Sequence, residues 1–248
     1  MANHARKILI QAGDMFHVTW KCHNGDFLLS SEFAKQLYYK LLLKYKDDYQ
    51  MQFYSYCFMD NHPHLTGKCV SQKLMSDFFR VVNSCFAKTM NKYLKRRGQM
   101  VMDRFKSPVI ETQVDLKKVM IYNDMNPSRT VNGTHPKDFR WSSYRHYAYG
   151  RKDPLLTDPP CYQELGDSEK ERQQAYRKMI QEIFETDERV LQKCPYRNAK
   201  GKCLPLIGDP VAVQIKYNEL KEDLKHRKKL WLDQRKKRRR ELEEASSL

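Results

Sequence analysis

Between residues 16 and 126 the hydrophobic period of the chain switches repeatedly between two residues and about 3.6, and the order of the switches admits few folds. "FHVTWKCH" (16–23) alternates apolar and polar side chains, as a half-buried strand does. "SSEFAKQLYYKLLLKY" (30–45) opens on a serine cap and carries apolar residues at helical spacing. "MQFYSYCFM" (51–59) and "HLTGKCV" (64–70) are two strands around a turn. The stretch 71–97 is a long amphipathic helix that stops at Gly98. "MVMDRFKSPVIET" (100–112) is strand-like, with Pro108 confining it to an edge or a bulge. "DLKKVMIYNDMN" (115–126) is a helix with an acidic start, closed by Pro127. Strand, helix, strand, strand, helix, strand, helix is the order of an α+β, ferredoxin- or RRM-like antiparallel sheet with helices on one face and one helix added. That layout serves enzymes and nucleic-acid binders alike, so the fold class alone does not choose between them.

The texture changes after Gly150. "RKDPLLTDPPCYQELG" is proline-rich, like a connector, and a helix is expected over 167–191. From Val213 the pattern is helical again and strongly basic, with eleven Lys or Arg between residues 221 and 240. Such a helix either tracks phosphates by charge or is a solvated tail. The expected division is therefore 1–150, a folded domain, and 151–248, a helical, basic C-terminal region.

A formal net charge of +16 points to a polyanionic partner, nucleic acid before membrane. No apolar run approaches the roughly 18–20 residues that cross a bilayer, and the N-terminal apolar stretch is too short for a signal peptide. The expected location is cytoplasmic, at the nucleoid. The seven cysteines are odd in number and scattered. Cys22, Cys57, Cys69 and Cys85 fall in apolar runs as small buried side chains, and Cys161, Cys194 and Cys203 lack the C-x-x-C spacing of a zinc site.

His62 and His64 stand two apart, so on a strand their imidazoles share a face. Two readings are open: a pair of metal ligands, or two polar residues on an exposed strand face. Tyr122 and Asn126 are four apart on a helix and so share a face too. Two imidazoles and an amide oxygen suit Mg²⁺ or Mn²⁺ holding a phosphate better than a closed structural zinc site. On the other reading Tyr122 is a core tyrosine and Asn126 caps its helix. His17 is either a partner of such a metal site or a core histidine, and the core reading is preferred.

Five blocks decide the balance: "FHVTWKCHNGDFLL", "YCFMDNHPHLTG", "RRGQMVMDRFKSPVIE", "YNDMNPSR" and "FRWSSYRHYAYG". In this order and spacing, over about residues 10–150, they resemble the single-tyrosine HUH transposases, above all the REP-associated tyrosine transposases. The resemblance implies that His62 and His64 are metal ligands, that Asn126 completes the site, and that Tyr122 is the nucleophile. It implies a metal-dependent endonuclease and strand transferase cutting single-stranded DNA, on hairpin-forming palindromic repeats, with Mg²⁺ or Mn²⁺ as cofactor. The resemblance also implies a 5′-phosphotyrosine link, and the expected working unit is a monomer or homodimer. The alternative is a catalytically silent nucleic-acid-binding protein on an RRM-like fold. Arg104, Lys106, Arg129, Arg140 and Arg145, with Lys236, Lys237, Arg238 and Arg239 of the C-terminal stretch, are candidate phosphate contacts. Trp141 and Tyr144 are candidates for base stacking or for packing.

Overall fold

Three hydroxyl side chains set where the main helices begin. Ser31 Oγ accepts from Ala34 N and starts α1 (Glu32–Tyr45); Ser71 Oγ accepts from Leu74 N and starts α2 (Gln72–Tyr93). Thr112 Oγ1 accepts from Asp115 N at 3.1 Å and donates to the Asp115 carboxylate at 2.6 Å, a reciprocal cap for α3 (Gln113–Met125). The computed structural model describes residues 10–130, 133–185, 206–209 and separate positions between 211 and 235. The basic run Lys236–Arg239 lies outside the described residues.

The strands are β1 (Met15–Thr19), β2 (Gln52–Phe58), β3 (Pro63–Lys68), β4 (Val109–Ile110) and β5 (Leu206–Ile207). They stand in the order β2-β3-β1-β4-β5. β1 pairs antiparallel with β3 and β4, β3 pairs antiparallel with β2, and β5 joins β4 in parallel. The first four strands thus have the ferredoxin-like order that the sequence pattern implies. β4 is much shorter than the strand expected over 100–112. Pro108 has no N–H to give, and before it the segment meets β1 and its extension only at single bridges, Thr19 with Lys106 and Cys22 with Val101.

Register decides the faces. Val18 lies opposite Leu65, and Leu65 opposite Tyr56, so these side chains share the face that α1 and α2 cover with Tyr38, Leu42, Phe78, Phe79 and Phe86. His17 lies opposite Thr66, which lies opposite Ser55, and these occupy the other face. Gly67 sits where the strands crowd: a Cβ there would overlap the Gln52 carbonyl oxygen and stand 3.0 Å from Phe16 Cζ. Because the backbone oxygen cannot rotate away, Gly67→Ala is expected to cost about 2–3 kcal/mol. A lower urea midpoint at unchanged slope is the check.

Helices cover both faces of the sheet, which corrects the expectation of one covered face. α3 packs on the side of His17, Ser55, His64 and Thr66, each of which is buried. Read from alternation alone, such polar positions look like a solvent face. Here Asn123 of α3 donates to Ser55 Oγ at 3.0 Å, and Ser55 and Thr66 bond to each other, so the polar groups are satisfied under a helix.

The packing does not break at residue 150 either. The expected connector runs along the outer edge of β2, with Thr157 N donating to Phe53 O at 2.8 Å and Leu155 fully buried. Helices α4 (Tyr144–Tyr149), α5 (Pro160–Gln163) and α6 (Glu169–Glu185) then close a second core with α3 through Tyr147, Tyr162 and Tyr176. Residues 151–185 thus pack against the same cores as residues 10–150.

Candidate active site

The catalytic candidates arrive from three directions on the face that α3 covers. His62, at the end of the turn before β3, and His64, within it, have ring centroids 4.7 Å apart and edge to face. Asn61 Oδ1 lies 2.5 Å from His62 Nδ1. An amide oxygen only accepts, so Nδ1 carries the proton and the lone pair of the neutral ring sits on Nε2. His64 Nδ1 is 3.1 Å from His17 Nε2 of β1. With His64 Nδ1–H donating, its lone pair also sits on Nε2, the form in which imidazole binds a metal. Burial, aided by charge on His62, pushes the His17 pKa down to about 3, so this partner stays neutral. His17 is therefore more than the core histidine that the sequence favoured: it orients His64. Strand register was the available signal, but it needed the β1–β3 pairing to be read.

Tyr122 enters from α3, its ring 6.2 Å from that of His64. The Arg129 guanidinium lies 4.0 Å over the Tyr122 ring centroid. It also donates to the Tyr122 carbonyl at 3.1 Å and to Asn126 Oδ1 at 3.3 Å. Arg129 sits in the single 3₁₀ turn Asn126–Arg129 that Pro127 imposes after α3, which brings it back over the helix end. Nucleophile candidate, amide and guanidinium thus form one unit. Asn126 is buried, and its Nδ2 has no hydrogen-bond partner among the described residues.

The rotation of α3 is fixed from behind. Asp124 is fully buried and accepts from Ser143 Oγ at 2.8 Å and from Tyr176 Oη at 2.7 Å. Burial raises its pKa to about 7, against the pull of both hydroxyls. Sequence reasoning missed this residue, because one of its partners lies 52 positions away in a helix assigned to another domain.

The other candidates are spread out. Lys106 pairs with Thr19, which pairs with His64, so these three share one cross-strand row, and Lys106 is exposed there. Arg104 is exposed in the same segment. Trp141 and Tyr144 are packing residues: each is buried, Trp141 Nε1 donates to Glu32 at 2.7 Å, and Tyr144 packs against Tyr176. Arg140 pairs with Glu32 at 2.8 Å and Arg145 Nε donates to Lys137 O at 3.0 Å, both on the α1 side of the β2 edge. Among the described residues no group of three or more His, Cys, Asp or Glu could hold a metal, and no helix is long and apolar enough to cross a membrane.

Residues 12–122 match a family model described as "Transposase IS200 like". Over this region the chain is similar to IS200-like transposases. The match ends on Tyr122, so the matched region contains the histidines and the tyrosine, while Asn126 and Arg129 follow it. A solved structure described as a REP-associated tyrosine transposase bound to a REP hairpin is similar over 60% of this chain and 88% of that one, at 16% identity and a TM-score of 0.47. No curated protein matches.

Proposed function

We propose that the chain is a metal-dependent endonuclease and strand transferase for single-stranded DNA, with Tyr122 as nucleophile. The observation that carries this reading is the convergence of His62, His64 and Tyr122 on one sheet face, with Arg129 against the tyrosine ring. A protein that only binds nucleic acid has no use for that arrangement. Hairpin-forming palindromic repeats are the proposed substrate, on the resemblance of the five sequence blocks.

The donor set fits a divalent cation. Two imidazoles oriented by Asn61 and His17 offer nitrogen, and Asn126 offers its amide oxygen, which accepts from Arg129 at 3.3 Å and keeps a second lone pair for a cation. His62, His64 and Asn126 would hold Mg²⁺ or Mn²⁺, which when bound supplies positive charge to the scissile phosphate. The rest belongs to the chain's own groups. The Tyr122 phenol oxygen attacks phosphorus, a Tyr–O–P bond forms, and the P–O3′ bond breaks. The leaving 3′ oxygen takes up a proton, so the products are a 5′-phosphotyrosine and a 3′-hydroxyl. Attack by a 3′-hydroxyl reverses the step and rejoins strands without a nucleotide cofactor. Arg129 holds a fixed positive charge beside the ring as the oxygen's charge changes, and Lys106 faces the same row for a neighbouring phosphate.

The test is an incubation of the protein with Mn²⁺ and a labelled hairpin oligonucleotide carrying single-stranded flanks. The expected result is a protein–DNA band that survives denaturation and is lost when a chelator removes the metal. Nicked DNA without an adduct would assign the nicking to activated water, and retarded but uncut DNA would leave only binding.

A further inference from the structure

Around the β2 edge from Tyr122, on the α1 side of the sheet, lies a cavity of about 380 Å³. Its position follows from register: Tyr56, which lines it, points to the α1 face, whereas its neighbours Ser55 and Cys57 share the face of His64. The floor is built and held. Asp153 accepts from Tyr39 Oη at 2.6 Å, from Tyr56 Oη at 2.7 Å and from Leu155 N at 3.0 Å. Lys46 Nζ donates to Pro154 O at 2.7 Å and pins the same loop.

The walls carry a surplus of positive charge. Lys40 of α1, Arg145 of α4, and Arg151 and Lys152 of the following loop all line the cavity, and none has a carboxylate partner among the described residues. Arg140 adds a fifth cation, balanced by Glu32. The one acid inside, Asp153, is occupied by its two tyrosines and a backbone N–H. Like charges brought together on one concavity repel, and a bound anion relieves that repulsion. The volume is in the range that admits a nucleotide.

We propose that this cavity is a nucleotide-phosphate site, separate from the cleavage site and on the other side of the β2 edge. It rests on the reading of the chain as a DNA-processing protein for the source of the phosphate: a strand leaving the catalytic face bends around the β2 edge and seats one nucleotide here. A free mononucleotide is the other source of the same chemistry. The segment 140–146 joins the two sites, since Arg140 and Arg145 line the cavity while Ser143 between them bonds Asp124, two residues from Tyr122.

The experiment compares the full chain with the charge reversal Arg151→Glu/Lys152→Glu. A control reversal of equal size, Lys88→Glu/Lys92→Glu, lies on α2 away from the cavity; all four side chains are exposed, so folding is not at issue. Binding of a fluorescent hairpin oligonucleotide with single-stranded flanks, and of thymidine 5′-monophosphate, is measured for each. The expected result is a loss of oligonucleotide affinity of at least about tenfold in the cavity variant, and a salt slope shallower by about 0.7 for each phosphate that the variant no longer neutralises. The control should change much less. Mononucleotide binding that the cavity reversal alone abolishes would assign the site to a free nucleotide and leave the phosphate chemistry standing. Equal losses in both variants, or no loss in either, would overturn the site. The Tyr122 adduct is scored separately: an adduct with an indifferent cavity variant removes only this inference, and a selective cavity effect without any adduct removes only the catalytic reading.

Discussion

Replacing Tyr122 by phenylalanine is expected to reduce formation of the covalent DNA adduct by at least about 10⁴-fold while leaving the fold and DNA affinity close to those of the parent chain. The asymmetry follows from what the ring and the hydroxyl each do. The ring faces His64 at 6.2 Å and carries the Arg129 guanidinium at 4.0 Å, and both interactions survive the substitution. Arg129 also keeps its bond to the residue 122 carbonyl and to Asn126 Oδ1, so the end of α3 remains assembled. The phenol oxygen, the proposed nucleophile, is what the substitution removes. The stability is expected to fall by about 1 kcal/mol or less, the usual cost of losing one hydroxyl's interactions. The measurement pairs denaturing gels for the adduct with equilibrium binding of the same oligonucleotide. Undiminished nicking by Tyr122→Phe would mean that water, not tyrosine, is the nucleophile, and the role proposed for Tyr122 would fall.

Much of this arrangement is legible in the sequence. The order of periods predicts the sheet, the hydroxyls Ser31 and Ser71 predict two helix starts, and the two-residue spacing of His62 and His64 predicts a shared face, because each depends on residues close along the chain. What is hidden depends on which layer covers which. Alternation separates the two faces of β1 and β2, but it does not say that the polar side, His17, Ser55 and Thr66, lies under α3 and out of water. The prolines of residues 154–160 read as a linker because their missing N–H groups suit a chain without partners, yet the same property suits a strap along a sheet edge. The bonds of Asp124 to Ser143 and Tyr176 join three segments that no local pattern connects. The candidate site's supporting side chains are thus less visible than its proposed reactive groups, since the latter come in short motifs and their supports come from packing.

Those supports make a second large prediction, about pH. His17 and Asp124 are both buried, on either side of α3's contact with the sheet, and their shifts oppose each other. Burial, helped by the charge of His62, holds His17 at about 3, below its ordinary 6.5, so the folded state binds fewer protons than the unfolded state between those values. Its contribution is complete above pH 6.5 and is lost as pH falls, by about 3 kcal/mol down to pH 4. Burial raises Asp124 from 3.8 to about 7, so in that window the folded state binds more protons than the unfolded one. Its contribution is complete below about pH 4 and is lost as pH rises, by about 4 kcal/mol up to pH 7. In the parent chain the two slopes largely cancel between pH 4 and 6.5. Removing either one exposes the other. Asp124→Asn, which keeps an acceptor for one hydroxyl, is expected to gain stability over the parent at pH 7 relative to pH 4. His17→Gln, which keeps a polar partner for His64, is expected to do the reverse and gain at pH 4 relative to pH 7. Urea unfolding at a series of pH values, with a chelator present so that metal binding does not enter, reads the difference between each variant and the parent. Curves that run parallel to the parent's would mean that neither group is desolvated as the packing around α3 requires, and that the helix bearing Tyr122 sits more loosely on the sheet than its bonds to Ser55, Ser143 and Tyr176 imply.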